Sequence, residues 1–239
     1  MSMKNNLLMK HYLGMGKKRS GKDSDMGYVK DGLVFHLDGI NKGDDPLAWT
    51  DLIQGIKFAY NDCILNTNNV EFNGKSSYAV NSTDLDKLKF PYQTHTLEVC
   101  YKTNNKYWYS ILMIPINGNL IYSVGGGALT VFNVSERYLD INSFINNKHI
   151  FCSYSNPNNP IILNKTEKHW SSEYSVWMSD VKDSYIGKGC FKQGTYIQNS
   201  FLRGNIYSIR VYNKILTKEE MLANQQVDID RFFNGVIPQ

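Results

Sequence analysis

The sequence predicts an all-β fold: an antiparallel β-sandwich with a short C-terminal helix and a basic N-terminal arm. Three observations carry that expectation. Near the C-terminus, Ile206, Ser208, Arg210 and Tyr212 alternate with Tyr207, Ile209, Val211 and Asn213, and a period of two with one apolar face marks a half-buried strand. Turn residues recur at roughly 8–14-residue spacing, with almost no helical periodicity between them. The composition agrees, since 16 Tyr and 11 Phe, with Thr, Ile and Val spread through short runs, favour strands.

Residues 1–27 read as an arm and linker. Lys4, Lys10, Lys17, Lys18, Arg19 and Lys22 stand there before the first acidic residue, Asp23. The net charge of +4 therefore hides a basic arm on a slightly acidic body. Such an arm suits docking on an acidic surface or nucleic acid; a solvated tail is the plain alternative. Residues 28–239 read as one domain, because 42% hydrophobic content supports a real core and single sandwiches reach this length.

Within the body, Leu33 to Asp38 alternates as a first strand, and Trp49-Thr50-Asp51-Leu52 follows a polar loop. Val70 to Val80 reads as a hairpin pivoting on Asn73-Gly74, two residues that accept positive φ. Thr96 to Tyr101 and Tyr109 to Ile114 read as strands. Leu120 to Val124 and Ala128 to Val134 flank a triple-glycine turn, Ile150 to Tyr154 precedes an Asn/Pro loop, and Tyr185 to Gly189 leads to the final strand. Thr217 with Glu220 forms a capping box, which places a short helix over about Lys218 to Gln226.

These pieces resemble the laminin-G-like, concanavalin A-like jelly-roll family. Ile209-Arg210-Val211-Tyr212-Asn213, then Leu216-Thr217 and Glu220, follow the family's closing strand and helix start. Gly32-Leu33-Val34 with Asp38-Gly39, the Trp49 segment, and Phe72-Asn73-Gly74 with Ser77-Tyr78 match its N-terminal half. The likeness runs from about Tyr28 to Phe233 and is thin between Lys102 and Asp183. It implies a jelly-roll β-sandwich. The scaffold carries sugar binding, hydrolysis and architecture alike, so function must be read from residues.

Hydrolytic members of the fold place carboxylates on one strand face as E-x-D-x-x-E or E-x-D-x-E, because acid and nucleophile must flank one bond. No such run occurs. Glu98 has no acid two or four residues on, and Asp228 and Asp230 lie after the expected helix, so all three read as structural or solvated. His36 and Asp38 share a strand face, but no nucleophile elbow stands near them. No HExxH or CxxC is present, and Cys63, Cys100, Cys152 and Cys190 read as reduced thiols. No catalytic residue and no cofactor are expected. The resemblance raises a rim calcium site, for which Asp38, Asn41, Asp44 and Asp45 are weak candidates beside the reading of a solvated acidic loop.

Sugar recognition needs exposed aromatic rings beside hydrogen-bonding groups. Trp170 in its polar loop is the best candidate, with Tyr174 and Trp108 behind it. The stretch after Lys4 is too short in apolar residues for a secretion signal, and no run of about 20 apolar residues could span a membrane. The expectation is a non-enzymatic structural or adhesion module, synthesised in a cytoplasm. The resemblance points first to a bacteriophage virion protein, a head decoration, fibre or tail component. Its arm would be anchored on capsid or tail proteins and its final location the virion. A free carbohydrate-binding module meeting cell-surface glycans is the alternative, and a degenerate glycoside hydrolase the third reading. A homo-oligomer is compatible with all three.

Overall fold

The computed structural model describes residues 26–83, 95–103, 109–114, 120–125, 128–132, 136–140, 149–155, 161–168, 172–174, 183–193 and 196–236. Strands β1 (Leu33–Asp38), β2 (Ala48–Thr50), β3 (Lys57–Asn61), β4 (Ile64–Leu65), β5 (Val70–Asn73) and β6 (Tyr78–Asn81) come first. Then follow β7 (Thr96–Thr103), β8 (Tyr109–Ile114), β9 (Leu120–Gly125), β10 (Ala128–Phe132), β11 (Glu136–Asp140) and β12 (His149–Ser155). The chain closes with β13 (Ile161–Leu163), β14 (Thr166–Lys168), β15 (Ser172–Tyr174), β16 (Ser184–Ile186), β17 (Lys188–Gln193), β18 (Tyr196–Phe201), β19 (Arg203–Tyr212) and helix α1 (Lys218–Phe233).

Two antiparallel sheets form the sandwich. The first runs β14-β13-β12-β7-β19-β5-β4, with β1 also on β19; the second runs β15-β11-β10-β9-β8-β16-β6-β3-β2. β17 and β18 make a separate hairpin. Phe35, Leu37, Leu97, Val99, Ile209 and Val211 of the first sheet meet Trp49, Phe58, Ala79, Leu112 and Ile186 of the second in one buried core. Strands that bury one face on such a core alternate apolar-in and polar-out, which is why the period-two pattern located most of them.

β19 organises the first sheet. One edge pairs with β7; the other pairs with β5 at its start and β1 at its end. The β7 register slips between Ile206 and Ser208, so Tyr207 is a bulge residue. A bulge shifts the faces of everything beyond it. Ile206 therefore joins Ile209 and Val211 in the sandwich core, while Tyr207 and Tyr212 pack outward against α1. Simple alternation assigns Ile206 and Tyr207 to the opposite faces. Just before the bulge, a Cβ on Gly204 would stand 2.0 Å from the Lys102 carbonyl, so only glycine allows β7 and β19 to approach there.

Helix α1 begins at the expected capping box: the Glu220 amide donates to Thr217 Oγ1, and the Thr217 amide donates to the Glu220 carboxylate. It runs to Phe233, well past the expected end at Gln226, and stops at Asn234 in the left-handed conformation. The reason lies in its buried stripe of Met221, Asn224, Gln225, Asp228, Ile229 and Phe232. Helical spacing is perfect there, but half of the stripe is polar, so hydrophobic periodicity does not report it. Asp228 and Asp230 are thus helical residues, not residues of a following extended segment.

Candidate functional site

The polar residues singled out near β1, β7 and α1 form a buried clasp between sheet and helix. Arg210 and Glu98 are partners across β19 and β7, so both side chains leave the same sheet face. The fully buried Arg210 guanidinium donates to both Asp228 oxygens at 2.7 and 2.8 Å and, through Nε, to Glu98 at 3.1 Å. Burial opposes that charge, but the facing Asp228 and Glu98 carboxylates outweigh it and hold the guanidinium charged. Asn224 donates to the same Glu98 oxygen, and Tyr28, whose ring lies 4.0 Å under the guanidinium, donates to Asp228. Glu98 is therefore part of the clasp, bonded to Arg210 and Asn224.

Asp38 continues the clasp. It accepts from Arg231 at 2.7 Å and from the amides of Ile40 and Asn41, all at a fully buried position. His36 Nε2 lies 3.8 Å from Asp38, too far for a hydrogen bond. Burial first, and then Arg210 and Arg231, hold the imidazole well below its usual range, so it is neutral. Asp45 pairs with Lys57 at 2.9 Å. The weak calcium candidates Asp38, Asp44 and Asp45 thus do not converge, and no group of three metal-binding side chains occurs among the described residues. Lys42 takes the cationic place nearby. Its ammonium is buried against the Gly39 and Asn66 carbonyls, and desolvation lowers it to about 8.

The opposite side of the sandwich is different in kind. On the outer face of the second sheet, Tyr78 and Val80 of β6 stand beside Tyr185 of β16, since Val80 and Tyr185 are direct partners. Asn61 of β3 is the partner of Tyr78 and is exposed. The alternate residues Ala79, Ser184 and Ile186 are buried, which fixes the tyrosines as outward. The Tyr78 and Tyr185 rings meet edge-to-face at 5.7 Å, and Phe201 of β18 leans on Tyr78 at 6.5 Å. Lys188, the first residue of β17, sits among them. Its Nζ lies 4.5 Å from the Tyr185 centroid, 4.7 Å from Tyr78 and 5.9 Å from Phe201. Among the described residues no carboxylate forms an ion pair with it. Asp183 is at the rim and accepts from the Tyr185 hydroxyl at 3.1 Å. All four cluster residues are half-buried. Rings, an ammonium, a carboxylate and an amide thus share one partly open surface.

Trp108 and Trp170 fall outside the described residues, as do the arm residues Lys4, Lys10, Lys17, Lys18, Arg19 and Lys22. Tyr174 ends β15 opposite Glu136, at the edge of the second sheet. Five strand spacings separate β15 from β16, about 24 Å along the sheet, so Tyr174 does not belong to the Lys188 cluster. The signal that could have found Tyr78 and Tyr185 was parity: each is a ring placed opposite to buried neighbours in its own strand.

No family model matches the sequence, and no curated protein matches it. Solved structures do. A Trypanosoma rangeli sialidase mutant with trans-sialidase activity superposes with a TM-score of 0.56 at 14% identity, covering 82% of this chain and 33% of that one. The Trypanosoma rangeli sialidase in complex with a difluorinated nononic acid gives 0.57 at 14% identity, over 86% and 33%. The receptor-binding domain of a botulinum neurotoxin C/D mosaic gives 0.52 at 14% identity, over 83% and 52%. This chain therefore spans about a third of the sialidases and half of the toxin domain. At such identities the likeness establishes the β-sandwich fold, and it leaves the laminin-G-like assignment at that level. The expectation of a non-enzymatic chain is corrected here, because a sialidase and a trans-sialidase-active mutant share this sandwich. Missing strand-borne carboxylates do not set the chain apart from enzymes with which it shares a fold.

Proposed function

We propose that the sandwich is a lectin-like, glycan-binding module whose ligand surface is the outer face of its second sheet around Lys188. The observation that carries this reading is the convergence of Tyr78, Tyr185 and Phe201 on one ammonium, with Asp183 and Asn61 beside them. Sugars offer apolar C–H faces that pack on aromatic rings and hydroxyls that need fixed donors and acceptors, and this surface supplies both. The neighbours support the same class of ligand: cell entry of botulinum neurotoxin type C depends on two ganglioside molecules, and the Trypanosoma sialidase has been captured with sialic acid. Those ligands belong to those proteins. Glycan binding is the property assigned to this sandwich, whether it works alone or beside a catalytic unit. The virion reading rests on arm residues outside the described range, and none of the neighbours above supports it.

A glycan array probed with the full chain tests the reading. Tyr78→Ala and Tyr185→Ala should each weaken binding about tenfold or more, the scale of truncating an aromatic anchor. Circular dichroism should remain that of the intact chain. Absence of binding to every glycan, or undiminished binding by both variants, would sink the proposal.

A further inference from the structure

Resting on that reading, we infer that the sugar bound at the Lys188 cluster is acidic, with its carboxylate on the Lys188 ammonium. A lysine on a protein surface ordinarily swings through solvent or pairs with a carboxylate. Lys188 lies among rings instead, and no carboxylate of the described residues pairs with it. Three rings lie within 6 Å of its Nζ, and ring quadrupoles attract a cation without neutralising it. The ammonium is placed among the rings with three N–H donors that they cannot satisfy as hydrogen-bond acceptors of ordinary strength. Fixing a cation beforehand removes the ordering cost that a free lysine would incur on binding an anion. The surroundings select among anions. A bare phosphate would use only the ammonium. A sugar acid uses the ammonium for its carboxylate, the rings for its C–H face, and Asp183 and Asn61 for its hydroxyls.

The test is calorimetric titration of the full chain with matched pairs: sialyl-lactose against lactose, and oligogalacturonate against its carboxyl-reduced form. A sulfated oligosaccharide serves as a third arm. At least one acidic member should bind about tenfold tighter than its neutral partner, the usual worth of a charge-assisted hydrogen bond. Lys188→Met should erase that preference while leaving the weaker neutral affinity, and Lys188→Arg should keep it. If Lys188→Met unfolds, methyl-esterifying the ligand carboxylate reads the same interaction from the other side and should cost the same factor. Equal binding within each pair, a preference that survives Lys188→Met, or a stronger response to sulfate than to carboxylate overturns the inference. In those cases binding that is still lost in Tyr78→Ala leaves the glycan reading standing. A chain that binds no member of any pair overturns both.

Discussion

Arg210 is the residue on which the outer half of the first sheet depends. Its charge is buried, bidentate on Asp228 and shared with Glu98. Removing one member strands the others without water, so Asp228→Asn or Arg210→Met should each cost about 3–5 kcal/mol in denaturant unfolding. Replacing both by apolar residues should cost less than the two single changes together; strict additivity would show that they do not act as a pair. His36 gives a second residue-scale expectation. Tyr28 and Asp38 face it with the guanidiniums of Arg210 and Arg231, and burial and those cations keep it unprotonated. The unfolded chain takes up a proton near pH 6.5 that the folded chain refuses. Stability from this group is therefore complete above about pH 6.5 and declines as the pH falls below it. Melting at pH 7.5 and 5.5 should show a drop that His36→Gln reduces; an identical drop in the variant would remove His36 as its source.

At the scale of elements, the capping box of α1 is the feature most directly readable from residue order. Thr217→Ala should lower stability by about 1 kcal/mol, read from the denaturation midpoint, because one orphan amide loses its acceptor. An unmoved midpoint would mean that the first turn is held by packing alone. The strands were legible wherever one face met the core, as in β1, β5 and β7. Two elements were misread for reasons that no local pattern contains. In β19 a single bulge at Tyr207 exchanges the faces of Ile206 and Tyr207, and its cause is the pairing with β7, a strand far earlier in the sequence. In α1 the buried stripe contains Asn224, Gln225 and Asp228, whose partners are Glu98, Ile162 and Arg210. Polar residues look solvent-facing until their distant partners are known. The Lys188 cluster was hidden in the same way. Tyr78, Tyr185, Lys188 and Phe201 come from four strands, and only pairing brings them together.

For the whole molecule, the two faces of the sandwich have separate tasks. One is sealed by α1 through the clasp and through Cys100, Tyr207, Ile229 and Phe232; the other carries the Lys188 cluster, the ligand surface proposed above. Ending the chain at Asn213 should uncover the first without touching the second. Such a chain should bind a hydrophobic dye and lose cooperative unfolding, because Arg210 loses both bonds to Asp228 and the apolar side chains beneath the helix meet water. A truncated chain that melts as sharply as the intact one would show α1 to be an accessory. The placement of β19 has a further consequence in time. Of the described strands it is the last to leave the ribosome, yet β1, β5 and β7 all pair with it. Until then the sheet has a missing middle and β1 has no neighbour, and α1, which neutralises Arg210, emerges later still. A chain cut before Arg203 would keep β1, β5 and β7 but lose the strand that joins them, leaving not a slightly weakened sandwich but an open sheet.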